Sequence, residues 1–120
     1  MIEILQESQG KILGIRATGR VTDEDYRKVF IPKLDELISA HENIRVLYLM
    51  DKQLEGFDFG AMWDDTKYGF GHKDAWEKIA VVGGPQWVQW GVKLCSYFLK
   101  GELRIFSEDE LQQAWNWVRE

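Results

Sequence analysis

Residues 44–66 read IRVLYLMDKQLEGFDFGAMWDDT. The first seven, IRVLYLM (44–50), are almost continuously apolar. An alternating strand leaves one face in water, whereas an unbroken apolar run predicts a central strand covered on both faces. Asp51 ends that run, DKQLEGFD (51–58) reads as a loop, and Asp58 is placed to cap a helix over 59–70. In open α/β sheets, ligands bind at this kind of strand end. Yet the whole stretch from 46 to 66 contains no cysteine, serine, histidine or glycine run, and its first aliphatic hydroxyl is Thr66, inside the expected helix. A site here would bind rather than react.

Working outward, IEILQ (2–6) and KILGIRAT (11–18) alternate polar and apolar residues, with Leu13, Ile15 and Ala17 on one face. The turn residues ESQG between them predict a hairpin. Thr22, with Asp25 three residues later, forms a capping box that starts a helix. Tyr26, Val29, Phe30, Leu34, Leu37 and Ile38 recur at helical spacing as its buried face. Pro32 falls inside that pattern, where its missing amide hydrogen and ring predict a kink or a restart. KIAVV (78–82) and LRIF (103–106) are two further apolar strands, with a helix expected over 85–99 between them. SEDE (107–110) is a second capping box, opening a last helix with Leu111, Ala114, Trp115 and Val118 as its stripe. Strands alternating with helices imply right-handed crossovers and a mixed, mostly parallel five-stranded sheet with flanking helices, an α/β fold. At 120 residues, with no linker or repeat, one domain over 1–120 is expected.

The net charge is −5, with no basic run to track a phosphate backbone, so nucleic acid is not an expected partner. No apolar run is long enough for a transmembrane segment, and the N-terminus lacks the pattern of a secretory signal. A single cysteine, Cys95, excludes an intrachain disulfide and fits a reducing cytoplasm.

GRVTDEDY (19–26), EGFDFGAMWDD (55–65), KIAVVGGPQW (78–87) and the acidic helix after RIF that ends AWNWV (114–118) together resemble the bacterial STAS-like proteins, the anti-anti-sigma-factor-like or SpoIIAA-like family. The resemblance covers nearly the whole chain. It implies a small cytoplasmic α/β domain, a fold also compared with the CRAL-TRIO lipid-binding domain, and no established activity for this branch. Anti-sigma antagonists of the family carry a phosphorylatable serine or threonine beside an aspartate after the third strand. Here the matching residues are Met50-Asp51-Lys52-Gln53-Leu54-Glu55-Gly56-Phe57-Asp58, which keep the aspartate and lack the hydroxyl.

Other chemistry-bearing residues have structural explanations. Asp64 and Asp65 are adjacent and point in different directions on a helix, so they form no paired acid and base. They, Asp23-Glu24-Asp25 and Glu108-Asp109-Glu110 sit in helix first turns, where the dipole favours carboxylates. His41 is expected at a helix end and His72 in a loop, without metal-ligand spacing to each other or to Cys95. GFG (69–71) follows a helix and lacks a third glycine, so it is no dinucleotide fingerprint. VVGGP (81–85) could receive an anion at a helix start, but two glycines and a proline are also what a tight turn needs. Cys95 lies in the middle of an apolar stripe, as a buried thiol would.

Asp51 itself has two readings, a ligand-binding carboxylate or a cap that accepts loop amide hydrogens. The remaining signal is aromatic. In GPQWVQWGVKLCSYFLKG (84–101) apolar residues spread over about 220° of a helix, more than one sheet face requires. Trp87, Trp90 and Tyr97 extend past the stripe formed by Val88, Gly91, Val92, Cys95 and Leu99. Trp63 lies on the edge of the 59–70 helix, and Trp117 falls roughly 100° from the last helix's stripe. A neighbouring element could cover these rings, or they could form an exposed patch for a partner or ligand. The candidate binding residues are therefore Asp51, Phe57, Trp63, Trp87, Trp90 and Tyr97. The expected function is a non-catalytic binding or regulatory module needing no cofactor, with a protein partner. The alternative is a carrier of a small apolar or lipid-like ligand. A homodimer through Trp90 and Tyr97 is also expected.

Overall fold

The apolar run at 44–50 is a strand, and it outlasts its apolar segment. β3 spans Ile44–Phe57 in the computed structural model, which describes residues 1–58, 60, 74–84 and 101–120. Ahead of it lie β1 (Ile2–Ile4), β2 (Ile12–Val21), a helical turn α1 (Asp23–Asp25), a π-helical turn at Tyr26–Phe30 and α2 (Ile31–His41). After it come β4 (Trp76–Gly83), β5 (Glu102–Phe106), a 3₁₀ turn at Glu108–Glu110 and the last helix α3 (Leu111–Arg119). The strands lie side by side in chain order, β1-β2-β3-β4-β5. β1 is antiparallel to β2 and the other pairs are parallel. The mixed, mostly parallel five-stranded sheet read from the sequence is the observed one. The helices expected over 59–70 and 85–99 lie outside the described residues, apart from Gly60.

The two faces of β3 divide the core. Ile44, Val46, Tyr48 and Met50 pack with Leu13, Ile15 and Ala17 of β2 beneath Tyr26, Phe30, Leu34 and Leu37. Leu47 and Leu49 on the other face join Ala80, Val82 and Phe106 beneath α3. Both faces are covered, as an unbroken apolar run requires.

Local signals explain the helix boundaries. The Thr22 hydroxyl accepts from the Asp25 amide, and the Asp25 carboxylate accepts from the Thr22 amide. Pro32 neither ends nor restarts the helix: the backbone stays helical through Phe30 and Ile31, and the turn just before the proline, Tyr26–Phe30, is widened to a π-turn. His41 closes α2 as expected.

Two expectations are corrected. Residues 51–57 are strand, not loop, because β2 runs on to Val21 and supplies a partner. Met50 sits opposite Ala17, Leu54 opposite Gly19 and Phe57 opposite Val21, so β3 bulges to stay paired. Gly19 takes φ 58°, a left-handed value suited to glycine. Asp51 is accordingly inside β3, at the level where pairing with β4 stops at Met50–Gly83. The second correction is Trp117, which is not a surplus ring. It is 7% exposed and packs beside Phe106, centroids 6.0 Å apart, in the core beneath α3. One nine-residue helix covers this side of the sheet among the described residues, so its buried stripe is wider than the 100° a shared face would need.

Candidate functional site

The carboxyl edge of the sheet is built on β2, β3 and the end of β4. Side chains two residues apart on a strand share a face, so Asp51 follows Leu47 and Leu49 onto the α3 side, and Arg16 of β2, opposite Leu49, meets it there. Both Arg16 Nε (3.0 Å) and Nη2 (2.5 Å) donate to Asp51 Oδ2. The other carboxylate oxygen, Oδ1, accepts the Gln53 amide hydrogen at 2.9 Å. The Gln53 amide, then the Arg16 guanidinium, hold the Asp51 carboxyl below its ordinary value. The Asp51 hydrogen bond and charge in turn raise Arg16 above its own. Asp51 thus caps the β3 bulge and ties it to β2. The capping reading describes what its carboxylate does.

Next to Asp51 the backbone of β3 meets the end of β4. Gly83 (φ 73°) and Gly84 (φ 92°) are left-handed, and a Cβ on Gly83 would lie 2.9 Å from the Met50 carbonyl oxygen. Gly83 and Gly84 therefore answer to backbone geometry, a positive φ and a close approach to Met50. The cap of α3 rises close by: a Cβ on Gly83 would meet Glu108 Cβ at 3.6 Å. The Glu110 carboxylate accepts from the Ser107 amide at 2.8 Å, and the Ser107 hydroxyl donates to Asp109 at 2.5 Å. That hydroxyl is the first cause holding the Asp109 carboxyl low. This acidic cluster performs the helix-start chemistry expected of it.

Beyond the edge of the full sheet, the β2–β3 ribbon borders an open cleft of about 770 Å³, lined by Met1, Thr18, Gly19, Arg20 and Lys52 to Glu55. Leu54 is its buried floor, while Arg20, Lys52, Gln53 and Glu55 are exposed. Phe57 is half-buried and packs on the α2-side core. Of the candidate binding residues, the structure brings Asp51 and Phe57 onto this ribbon. Trp63, Trp87, Trp90 and Tyr97 lie outside the described residues, as do Asp64, Asp65, Thr66, His72 and Cys95. Among the described residues, no three of His, Cys, Asp and Glu are grouped to hold a metal ion.

Three constellations were not read from the sequence. Arg16 is 35 residues from Asp51, and only the β2–β3 register brings them together. At the opposite edge, Glu77 accepts from Lys11 Nζ at 3.0 Å and from Arg45, while Arg45 Nη1 also donates to the Val118 carbonyl at 2.7 Å. Lys78 Nζ donates to the Trp117 carbonyl at 3.1 Å, so two cations hold the carbonyl end of α3, where the dipole favours them. On the α2 side the Tyr26 and Tyr48 hydroxyls lie 3.0 Å apart in the core. A tyrosine in an otherwise aliphatic strand was the visible sign, since a buried hydroxyl requires a partner.

A family model described as SpoIIAA-like matches residues 12–119. The chain is also similar to a solved structure of an uncharacterized protein of the DUF3478 family with a SpoIIAA-like fold, from Shewanella loihica PV-4. The two share 28% identity with a TM-score of 0.73, over 98% of this chain and 93% of that one. No curated protein matches.

Proposed function

This chain belongs to the SpoIIAA-like family, and on that premise we propose that it is a non-catalytic cytoplasmic module that binds a protein partner and works without a phosphoacceptor hydroxyl. The observation that carries this reading is the state of Asp51. Both its oxygens are engaged, by Arg16 and by the Gln53 amide, and residues 51–58 offer no serine or threonine beside it. A phosphoryl switch needs an acceptor oxygen there, and an acid–base centre needs a carboxylate free to exchange its proton. What this edge presents outward is Arg20, Lys52, Gln53 and Glu55 around the buried Leu54, a mixed polar rim over an apolar floor. Protein interfaces have that composition.

The test is site-specific photo-crosslinking in cells from Gln53, on the cleft, and from Gln112, on the exposed side of α3. A discrete crosslinked protein from Gln53 and none from Gln112 is the expected result. Equal labelling from both positions would remove the cleft as the contact surface. Native mass spectrometry of the purified protein separates the carrier alternative: the bare chain mass is expected, and a co-purifying lipid adduct would replace the partner reading. The burial of Trp117 removes one of the surplus rings on which the carrier reading drew. A stoichiometric phosphate found by peptide mapping after incubation with lysate and ATP would overturn the absence of a switch.

A further inference from the structure

β5 is a terminal strand of the sheet: among the described residues, β4 is its sole neighbour. Among the described residues, no strand pairs with the backbone groups of its outer edge. Its sequence, ELRIF (102–106), decides what could pair there. Glu102 and Arg104 are exposed and share one face, while Leu103 and Ile105 are half-buried on the other. Arg104 is held in place, its guanidinium 5.4 Å from the Phe106 ring centroid and 5.5 Å from that of Trp117. Among the described residues neither Glu102 nor Arg104 forms an ion pair, and Lys78, opposite Glu102 in β4, spends its ammonium on the Trp117 carbonyl.

We propose that this edge pairs with a second copy of the chain, β5 against β5 in antiparallel register about a two-fold axis at Leu103, joining two sheets into one. The register follows from charge. In a two-fold antiparallel pair, opposite residues lie on the same face, so the axis must pass through a residue position. Centred on Leu103, each Glu102 faces the partner copy's Arg104, twice per interface, and the two Leu103 side chains meet on the other face. Centred on Glu102 or on Arg104, like charges face each other. One register alone makes the strand complementary to itself, and neutralising charge locally matters when both copies carry −5. A five-residue edge makes a small interface, so the dimer is weak and forms at high concentration. It does not depend on what the cleft binds, and it uses no residue of the 85–99 segment.

Sedimentation at physiological salt across a concentration series tests it with three variants. Glu102→Arg and Arg104→Glu each turn both attractive pairs repulsive, and each should weaken dimerisation about ten-fold or more. The double variant, Glu102→Arg with Arg104→Glu, restores opposite charges and should recover the wild-type constant. Both sites are exposed, so thermal melts should keep the fold. The register has its own check in a Cys95→Ala background. Leu103→Cys should oxidise to a covalent dimer, because directly opposed Cα atoms about 4.5–5.5 Å apart suit a disulfide. Glu102→Cys should crosslink only when mixed with Arg104→Cys. A wild type that stays monomeric at millimolar concentration overturns the proposal. So does a dimer indifferent to the single reversals, not rescued by the double variant, or crosslinked more readily at 102 or 104 than at 103.

Discussion

Asp51 has two neighbours that restrain its proton, and they can be separated. The Gln53 amide is part of the bulge itself, while Arg16 reaches across from β2. Replacing Arg16 with methionine removes the guanidinium and leaves the amide donor, so the Asp51 pKa should rise but remain below the ordinary 3.8. Carbon-detected NMR titration of the carboxyl reads this directly, and a full return to the ordinary value would mean that the bulge opens without Arg16. The sign of the stability effect follows. A carboxyl whose folded pKa is depressed contributes stability above its unfolded pKa and loses it as pH falls through the folded value. Asp25, Glu77 and Asp109 are depressed as well, so acid below pH 4 should destabilise the wild type progressively. Asp51→Asn should shallow that acid limb in melts between pH 2 and 7. Half of this arrangement was legible in the sequence. An aspartate two residues before a free amide is a local device, readable from neighbours. The arginine was not, because Arg16 in an alternating strand looks like any solvent-facing residue until the register places it.

At the scale of the element, β3 shows where periodicity stops informing. Its apolar half, residues 44–50, pairs with strands on both sides. Its polar half, DKQLEGF (51–57), carries one buried side chain of leucine size, Leu54, and among the described residues pairs with β2 alone. The mixture of charged residues and glycine in that half is the composition of a loop. What made it a strand was the length of β2, a property of another segment. Backbone paired on one side and bulged opens at lower free energy than backbone paired on both. Hydrogen exchange should therefore show the amides of Leu54 to Phe57 exchanging well before those of Val46 to Leu49. Equal protection would mean that the extension is as stable as the sheet's centre.

At the scale of the whole molecule, the described residues cover the two faces of the sheet differently. The α2 side draws on a helix and a π-turn. On the opposite face α3 places Ala114, Trp115, Trp117 and Val118 on Leu47, Ala80, Val82 and Phe106. The fit is close: a Cβ on Gly14 would lie 2.4 Å from Trp115 Cη2. Trp117→Ala should cost about 3–5 kcal/mol, the usual penalty for emptying a buried tryptophan. Gly14→Ala should cost about 1–3 kcal/mol, because the ring has to move. Urea denaturation measures both, and a neutral Trp117→Ala would return that ring to the surface. Fold class was readable because it depends on the order of strands and helices, which neighbouring residues encode. The placement of Trp117 was not, since the width of a helix's buried face depends on how much sheet it must cover.

The strand order β1-β2-β3-β4-β5 bears on how the chain is made. Each strand finds its place beside the one synthesised just before it, so the sheet can extend on the ribosome without waiting for a distant segment. The seal for the face beneath α3 is different, because α3 follows all five strands in the chain. Until residues 111–119 emerge, Leu47, Ala80, Val82 and Phe106 lack the contacts that α3 gives them. A stalled nascent chain exposed only to about residue 106 should therefore be a stronger chaperone client than one that also exposes residues 107–120.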